Sequence, residues 1–170
     1  SLEIYYLSAL PNVIIMEPSN KNEIIRMINN SVLIDDRPSA FRYPRGAGEI
    51  DSTNINYDYL EVGKGVIIKE GNDVAILNLG TRMQSCEEAI KLLNSHNIYP
   101  TLADARFAKP IDKNLIDNLL DHHKYLITIE EGSSGGFGST VLNYIHNERI
   151  KSTLTKVNNI YFPDKFIDHQ

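Results

Sequence analysis

From Gly65 to Tyr161 the sequence alternates short apolar runs with amphipathic stretches of helical spacing, and this alternation constrains the fold more than any other feature. Strands separated by helices return to the same end of a sheet, which favours a mostly parallel sheet covered by helices. Val66-Ile67-Ile68-Lys69 and Val74 to Leu79 read as two strands joined by a tight Gly71-Asn72-Asp73 turn. After Gly80-Thr81 the pattern predicts a helix over 83–95, a strand over 99–104, a helix over 113–122, a strand over 125–130, a helix over 137–147 and a last strand over 155–161. A shorter unit precedes this one. Asn12 to Met16 reads as a buried strand, Ile24, Ile25, Ile28 and Val32 have the spacing of one helix face, and Ala40 to Tyr43 reads as a second strand after an Asp35-Asp36-Arg37-Pro38 turn. Asn20, three residues before Glu23, suits a helix cap. The polar stretch from Gly46 to about Leu60 has no apolar period and reads as a linker.

The composition sets further limits. With 42% hydrophobic residues, 23% charged residues and a net charge of −5, the chain reads as a soluble globular protein. It has no apolar run near the ~20 residues that span a bilayer, so no membrane partner is expected. It also has no basic stripe to serve as a nucleic-acid footprint. The lone Cys86 cannot form an internal disulfide and has no metal-ligand spacing around it, which fits a reducing compartment. The chain starts at Ser1 without an initiator methionine or a targeting-type segment, as a piece of a longer protein would.

Five features have the residue types for chemistry. Ser39-Ala40-Phe41-Arg42-Tyr43-Pro44-Arg45-Gly46 delivers two arginines to the end of an apolar run, where a guanidinium can fork onto a phosphate or carboxylate; the alternative is an ordinary strand end with solvated arginines. Gly132-Ser133-Ser134-Gly135-Gly136-Phe137-Gly138-Ser139 opens a helix after a strand, the placement of a phosphate-cradling loop, yet it matches no nucleotide fingerprint and follows two glutamates. Close packing of the helix start is the favoured reading. Glu130 and Glu131 are adjacent on a strand and point to opposite faces, so they do not form a facing acid pair. His122-His123 ends a helix, where a solvated or capping role suits it better than metal binding. Asp104-Ala105-Arg106 ends a strand at the edge where α/β sheets place ligands, and it reads first as an Asp/Arg salt bridge. No nucleophile is paired with a base, so these residues alone define an α/β module with an anion-capable arginine.

The order of motifs carries the reading further. Leu10-Pro11-Asn12, Met16-Glu17-Pro18-Ser19, Pro38 to Gly46, Gly63-Lys64-Gly65, Ala75 to Thr81, Asp104 to Asp112, Glu130-Glu131-Gly132, Gly135 to Ser139 and Pro163-Asp164-Lys165-Phe166-Ile167 together resemble the carboxy-terminal part of the 1-deoxy-D-xylulose-5-phosphate synthases, members of the transketolase-like thiamine diphosphate enzymes. The Gly-Thr, Asp-x-Arg and Gly-Gly-Phe elements are shared more loosely with transketolases and the beta subunits of 2-oxoacid dehydrogenases. The Arg-Tyr-Pro-Arg-Gly run and the Pro-Asp-x-Phe-Ile ending are the synthase-type elements.

The resemblance implies that residues 1–46 end a thiamine pyrimidine-binding domain, that 47–61 are a linker, and that 62–170 form a transketolase C-terminal-like α/β domain with a mostly parallel sheet. It implies a homodimeric enzyme that uses thiamine diphosphate and Mg2+ to condense pyruvate with glyceraldehyde 3-phosphate, losing carbon dioxide, with the cofactor as electron sink. Arg45 would hold the substrate phosphate, and Arg42 would be structural. The family's Gly-Asp-Gly diphosphate motif, its activating glutamate and its His-x-Gly do not occur in these residues. The expectation is therefore no catalytic, cofactor or metal ligands within this chain and no activity from it alone. Two other readings stand beside this one: a 2-oxoacid dehydrogenase beta subunit and a noncatalytic dimerisation module. The high asparagine and isoleucine content resembles proteins of AT-rich genomes, including parasites with a relict plastid (apicoplast); a bacterial source would place the enzyme in the cytoplasm.

Overall fold

The structure, a computed structural model, describes residues 2–43 and 56–165. In chain order its elements are α1 (Leu2–Ser8), β1 (Ile14–Met16), α2 (Lys21–Leu33), β2 (Ser39–Phe41), β3 (Val66–Lys69), β4 (Val74–Leu79), α3 (Met83–Asn94), β5 (Thr101–Asp104), β6 (Phe107–Lys109), α4 (Lys113–His122), β7 (Tyr125–Glu130), α5 (Phe137–Asn143), a π-turn (Tyr144–Glu148) and β8 (Lys156–Ile160). They build two sheets, one ordered β2-β1-β6 and the other β3-β5-β4-β7-β8.

The larger sheet is parallel from β5 through β4 and β7 to β8, with β3 antiparallel at its edge. The side-chain period of two sorts its residues. Ala75, Leu77 and Leu79 of β4 enter a core with Ile116 and Leu119 of α4 and with Phe137 and Val141 of α5. Ile76, on the opposite face, packs with Leu102 and with Met83, Cys86 and Ile90 of α3. Each of the larger aliphatic and aromatic side chains among these contributes roughly 1.5–3 kcal/mol on burial. The predicted alternation of strands and helices is thus the observed one.

Several elements depart from the sequence reading. β3 and β4 are joined by the expected tight turn but do not pair, because β5 lies between them. The turn is held to the start of β5 instead: Gly71 N donates to Thr101 Oγ1 at 2.9 Å and Asn72 N donates to Tyr99 O at 2.6 Å. A Cβ on Gly71 would fall 2.1 Å from Tyr99 O, so this crossing admits only glycine. α1 and β6 were not foreseen, and both are too short to show a periodic pattern. The predicted helix over 137–147 is α-helical only to Asn143 and finishes as the π-turn.

In the smaller unit, Asn20 caps α2 as expected, its side chain accepting from Glu23 N at 3.0 Å with an extended backbone (φ −155°). The face of α2 that is buried is rotated from the one predicted. Glu23, Met27 and Asn30 are buried, whereas Ile28 and Val32 are exposed. Polar residues can occupy the inner face because each has a partner: Glu23 meets Arg26 and Arg106, and Asn30 pairs with the backbone of Leu60 in both directions, donating to its carbonyl at 2.5 Å and accepting from its N–H at 2.9 Å. Leu60 is thereby drawn into a core with Ile14, Met16, Met27 and Phe107. The end of the predicted linker is therefore packed, while its residues 47–55 lie outside the described residues.

Asn30→Ala would leave both polar groups of Leu60 without their partners in a buried place. We expect a loss of about 2–4 kcal/mol in stability from the two orphaned groups, read as a lower denaturant midpoint at unchanged slope; a midpoint within error of the parent would show that the Asn30 contact contributes nothing.

Candidate functional site

The chain leaves β1, β2, β4 and β7 at one common edge, and the charged residues that follow these strands meet there. Glu17 comes after β1, Arg42 after β2, Thr81 and Arg82 after β4, Glu130 ends β7 and Glu131 follows it. Arg42 donates through Nη1 to Glu17 Oε1 at 2.7 Å and to Glu131 O at 3.0 Å, and its Nη2 lies 3.6 Å from Glu131 Oε2. Glu131 also accepts from Thr81 Oγ1 at 2.9 Å and pairs with Arg82, whose guanidinium stacks over Phe162. Arg42 is thus structural in part, as the sequence implied: it ties the smaller sheet to the larger one.

Glu17 is the most constrained of these groups. Its side chain is only 2% exposed, against 28% for Arg42. One oxygen meets Arg42, and the other, Oε2, is buried without a hydrogen-bond partner. It lies over Gly80, whose φ of +78° and missing Cβ make room for it, since a Cβ there would fall 2.6 Å from Glu17 Cγ. Burial is the largest cause pushing the Glu17 carboxyl up to about 7, with Glu130 and Glu131 adding to it and Arg42 opposing. Between pH 4.5 and about 7 the folded chain therefore holds a proton here that the unfolded chain has already released, and this group's contribution to stability falls as pH rises through that window.

Glu130 and Glu131 point apart, as expected for neighbours on a strand. Glu130 turns to the start of α5, where it accepts from Phe137 N at 3.0 Å and Gly138 N at 2.8 Å, and burial raises its pKa. Gly132 and Gly136 lie against the same carboxyl group. The glycine loop is therefore a closely packed helix start, and the protein's own carboxylate fills the place that a phosphate would take in a cradle.

At the neighbouring corner the expected Asp104/Arg106 salt bridge is replaced by two separate arrangements. Asp104 accepts from Ser19 Oγ at 2.5 Å and from Arg106 N at 3.0 Å, and burial pushes it up to about 6. The Arg106 guanidinium turns away to Glu23, with Nε 2.9 Å from Oε2 and Nη2 donating to Oε1 at 3.1 Å. The cause is the backbone, since Arg106 has φ +58°, a left-handed conformation that throws its side chain off the line of β5. Glu23 was read only as a capping residue, and nothing in local spacing reveals a partner 83 positions away. Between this corner and α3 runs a polar groove of about 790 Å³ whose lining includes Ser19, Asn20, Thr81, Gln84 and Glu88.

The remaining candidates lie elsewhere. His122 and His123 each place Nδ1 at 2.9 Å from a carbonyl of the last turn of α4, and His123 also meets Thr101 Oγ1 at 2.7 Å, so both serve the helix end. Cys86 is buried under α3, and burial raises its thiol to about 11. Arg45 lies outside the described residues. Among the described residues no group of three or more His, Cys, Asp or Glu side chains could hold a metal ion, and no helix is long and apolar enough to cross a membrane.

Comparison with known proteins agrees with this architecture. Residues 63–170 match the family described as transketolase, C-terminal domain. The chain is 43% identical over 171 residues to the probable 1-deoxy-D-xylulose-5-phosphate synthase 2, chloroplastic, of Oryza sativa subsp. japonica, and 43% identical over 172 residues to the 1-deoxy-D-xylulose-5-phosphate synthase 1, chloroplastic, of Cannabis sativa. Each match covers 99% of this chain, which spans 24% of the length of each relative. Among solved structures, a split gene transketolase described as an inactive beta4 tetramer superposes with a TM-score of 0.81 at 27% identity, over 95% of this chain and 52% of that one. The transketolase of Campylobacter jejuni shares the fold, with a TM-score of 0.58 at 18% identity over 91% of this chain and 22% of that one. The strand order, the two-sided core and the match over 63–170 show that the chain belongs to the transketolase C-terminal domain family.

Proposed function

We propose that this chain is the carboxy-terminal part of a 1-deoxy-D-xylulose-5-phosphate synthase, a thiamine diphosphate-dependent transferase that condenses pyruvate with glyceraldehyde 3-phosphate. The observation that carries the reading is the 43% identity over 99% of the chain to proteins bearing that name. In this reading residues 1–46 end the pyrimidine-binding domain, 47–61 link it to the third domain, and the whole enzyme is a homodimer with Mg2+ that works in a plastid.

The described residues do not fit the diphosphate end of the cofactor. They offer no group of three or more His, Cys, Asp or Glu side chains that could hold the Mg2+, and the glycine loop at the start of α5 is filled by Glu130. The role left to this chain is to bind and orient. The edge where Arg42 and Arg82 gather is the start of the segment that leads to Arg45, and Arg45 holds the phosphate of glyceraldehyde 3-phosphate. A guanidinium matches a phosphate in shape and keeps its charge at any working pH.

A second reading is favoured by one observation: the split gene transketolase that superposes on 95% of this chain is described as an inactive tetramer of its beta chain. In that reading the chain is a self-associating, noncatalytic partner of a separate subunit. The cofactor-binding half would then be encoded apart from it.

In the full-length protein, Arg45→Ala removes a charge-assisted contact of about 1.5–3 kcal/mol. The KM for glyceraldehyde 3-phosphate should rise roughly tenfold to a hundredfold while that for pyruvate stays nearly constant. Equal effects on both substrates would refute a phosphate-specific role, and the same selective effect from Arg42→Ala alone would move the contact to Arg42. Sedimentation of the isolated 170 residues checks the second reading: a stable oligomer supports it, and a monomer counts against it. Deoxyxylulose phosphate synthesis by this chain unaided would overturn the first.

A further inference from the structure

We propose that Glu17 is the resident counter-anion of Arg42, so that an anionic group is accepted at this edge only as Glu17 takes up a proton. The inference rests on the reading of this edge as an anion site and assigns to Glu17 a control that the reading does not contain.

The geometry sets up a competition for one guanidinium. Arg42 is partly open to solvent, at 28% exposure, while its partner Glu17 is sealed beneath it at 2%. An anion approaching from solvent meets Arg42 from its open side and must draw it from a carboxylate only 2.7 Å away. The local charge opposes this arrival. Glu17 faces Arg42 from β2 and Glu130 and Glu131 from the end of β7, and Arg82, at the start of α3, is already engaged by Glu131. Arg106, the next guanidinium along the edge, is committed to Glu23. With all groups ionised, two carboxylates, Glu17 and Glu131, share Arg42 and Arg82, and Glu130, held by the α5 amides nearby, adds a third negative charge, so the cluster carries an excess negative charge before any ligand binds.

Glu17 cannot relieve this by moving aside. It is wedged over Gly80 with no room for even a methyl group between them, and its Oε2 has no donor to exchange for Arg42. A carboxylate that loses its cation in such a place becomes an unpaired buried charge, and neutralisation by a proton is its cheapest response. Burial has already brought the group to about 7, so the proton is available from water near neutral pH. Arg42 then keeps its contacts to Glu131, the carbonyl at 3.0 Å and the carboxylate at 3.6 Å, and stays positioned at the edge. The stoichiometry is one anion and one proton taken up together.

The test uses sulfate, whose charge stays constant from pH 6 to 8.5, titrated calorimetrically into the full-length protein in buffers of different ionisation enthalpy. The expected result is proton uptake approaching one per sulfate above pH 7, with affinity falling up to about tenfold per pH unit there. Glu17→Gln, neutral and of the same shape, should bind at least as tightly at pH 8 with no proton uptake and no such pH dependence. Arg42→Ala should weaken binding in both backgrounds. Sulfate binding that Arg42→Ala weakens, but that takes up no proton in the parent, would overturn the role of Glu17 and leave the anion edge standing. An unchanged pH dependence in Glu17→Gln would overturn it as well. No sulfate binding at any pH would overturn the anion edge and this inference together. The parent protein alone supplies the proton count, so the test does not depend on the variant folding.

Discussion

The joint between the two sheets is the constraint on which the rest of this edge depends. β6 leaves the larger sheet immediately after β5 and pairs antiparallel with β1, placing Phe107 opposite Met16 and Lys109 opposite Ile15. Glu17 N continues that contact by donating to Arg106 O at 2.9 Å. This ladder brings the end of β1, and through it the end of β2, against the ends of β4 and β7. Without it, Glu17, Arg42 and Glu131 would belong to separate units and could not form one network.

The joint also explains why so many carboxylates are buried here. Strand ends gather at the edge, and each buried acid is matched to a donor set of its own: Glu130 to the α5 amides, Asp104 to Ser19 and the Arg106 amide, Glu23 to Arg26 and Arg106, and Glu131 to Thr81 and Arg82. Glu17 and Glu23 each leave Oε2 without a hydrogen bond, but Glu23 Oε2 lies 2.9 Å from Arg106 Nε, whereas the ion pair of Glu17 is made to Arg42 through Oε1. Buried charges left partly unpaired are costly, and their natural outlet is protonation. That asymmetry sets Glu17 apart from its neighbours. The same matching accounts for the inverted face of α2, which buries Glu23 and Asn30 because their partners come from distant parts of the chain.

The relation between the glycine loop and Glu130 bears on function. A loop of this composition at a helix start has the placement of a phosphate cradle, and the sequence reading favours close packing there instead. Here the filler is the last residue of the preceding strand, seven residues upstream of the amide it accepts from. The guanidinium groups of Arg42 and Arg82, at the strand ends, are the anion-capable groups that meet at this edge.

Helix and strand order, the capping role of Asn20, the divergence of Glu130 and Glu131 and the family resemblance were legible in the sequence, because they depend on periodicity and on neighbours within a few residues. α4 and β7 run over the predicted residues for the same reason. The insertion of β5 between β3 and β4, the β1–β6 pairing, the partner of Arg106 and the packing of Leu60 were not, since each joins residues tens of positions apart and is selected by what the assembled core leaves unsatisfied. A sequence specifies which residues can carry charge. The fold alone decided which of them lose water and which partner each then finds, and so sealed Glu17 beneath Arg42 with its Oε2 unsatisfied.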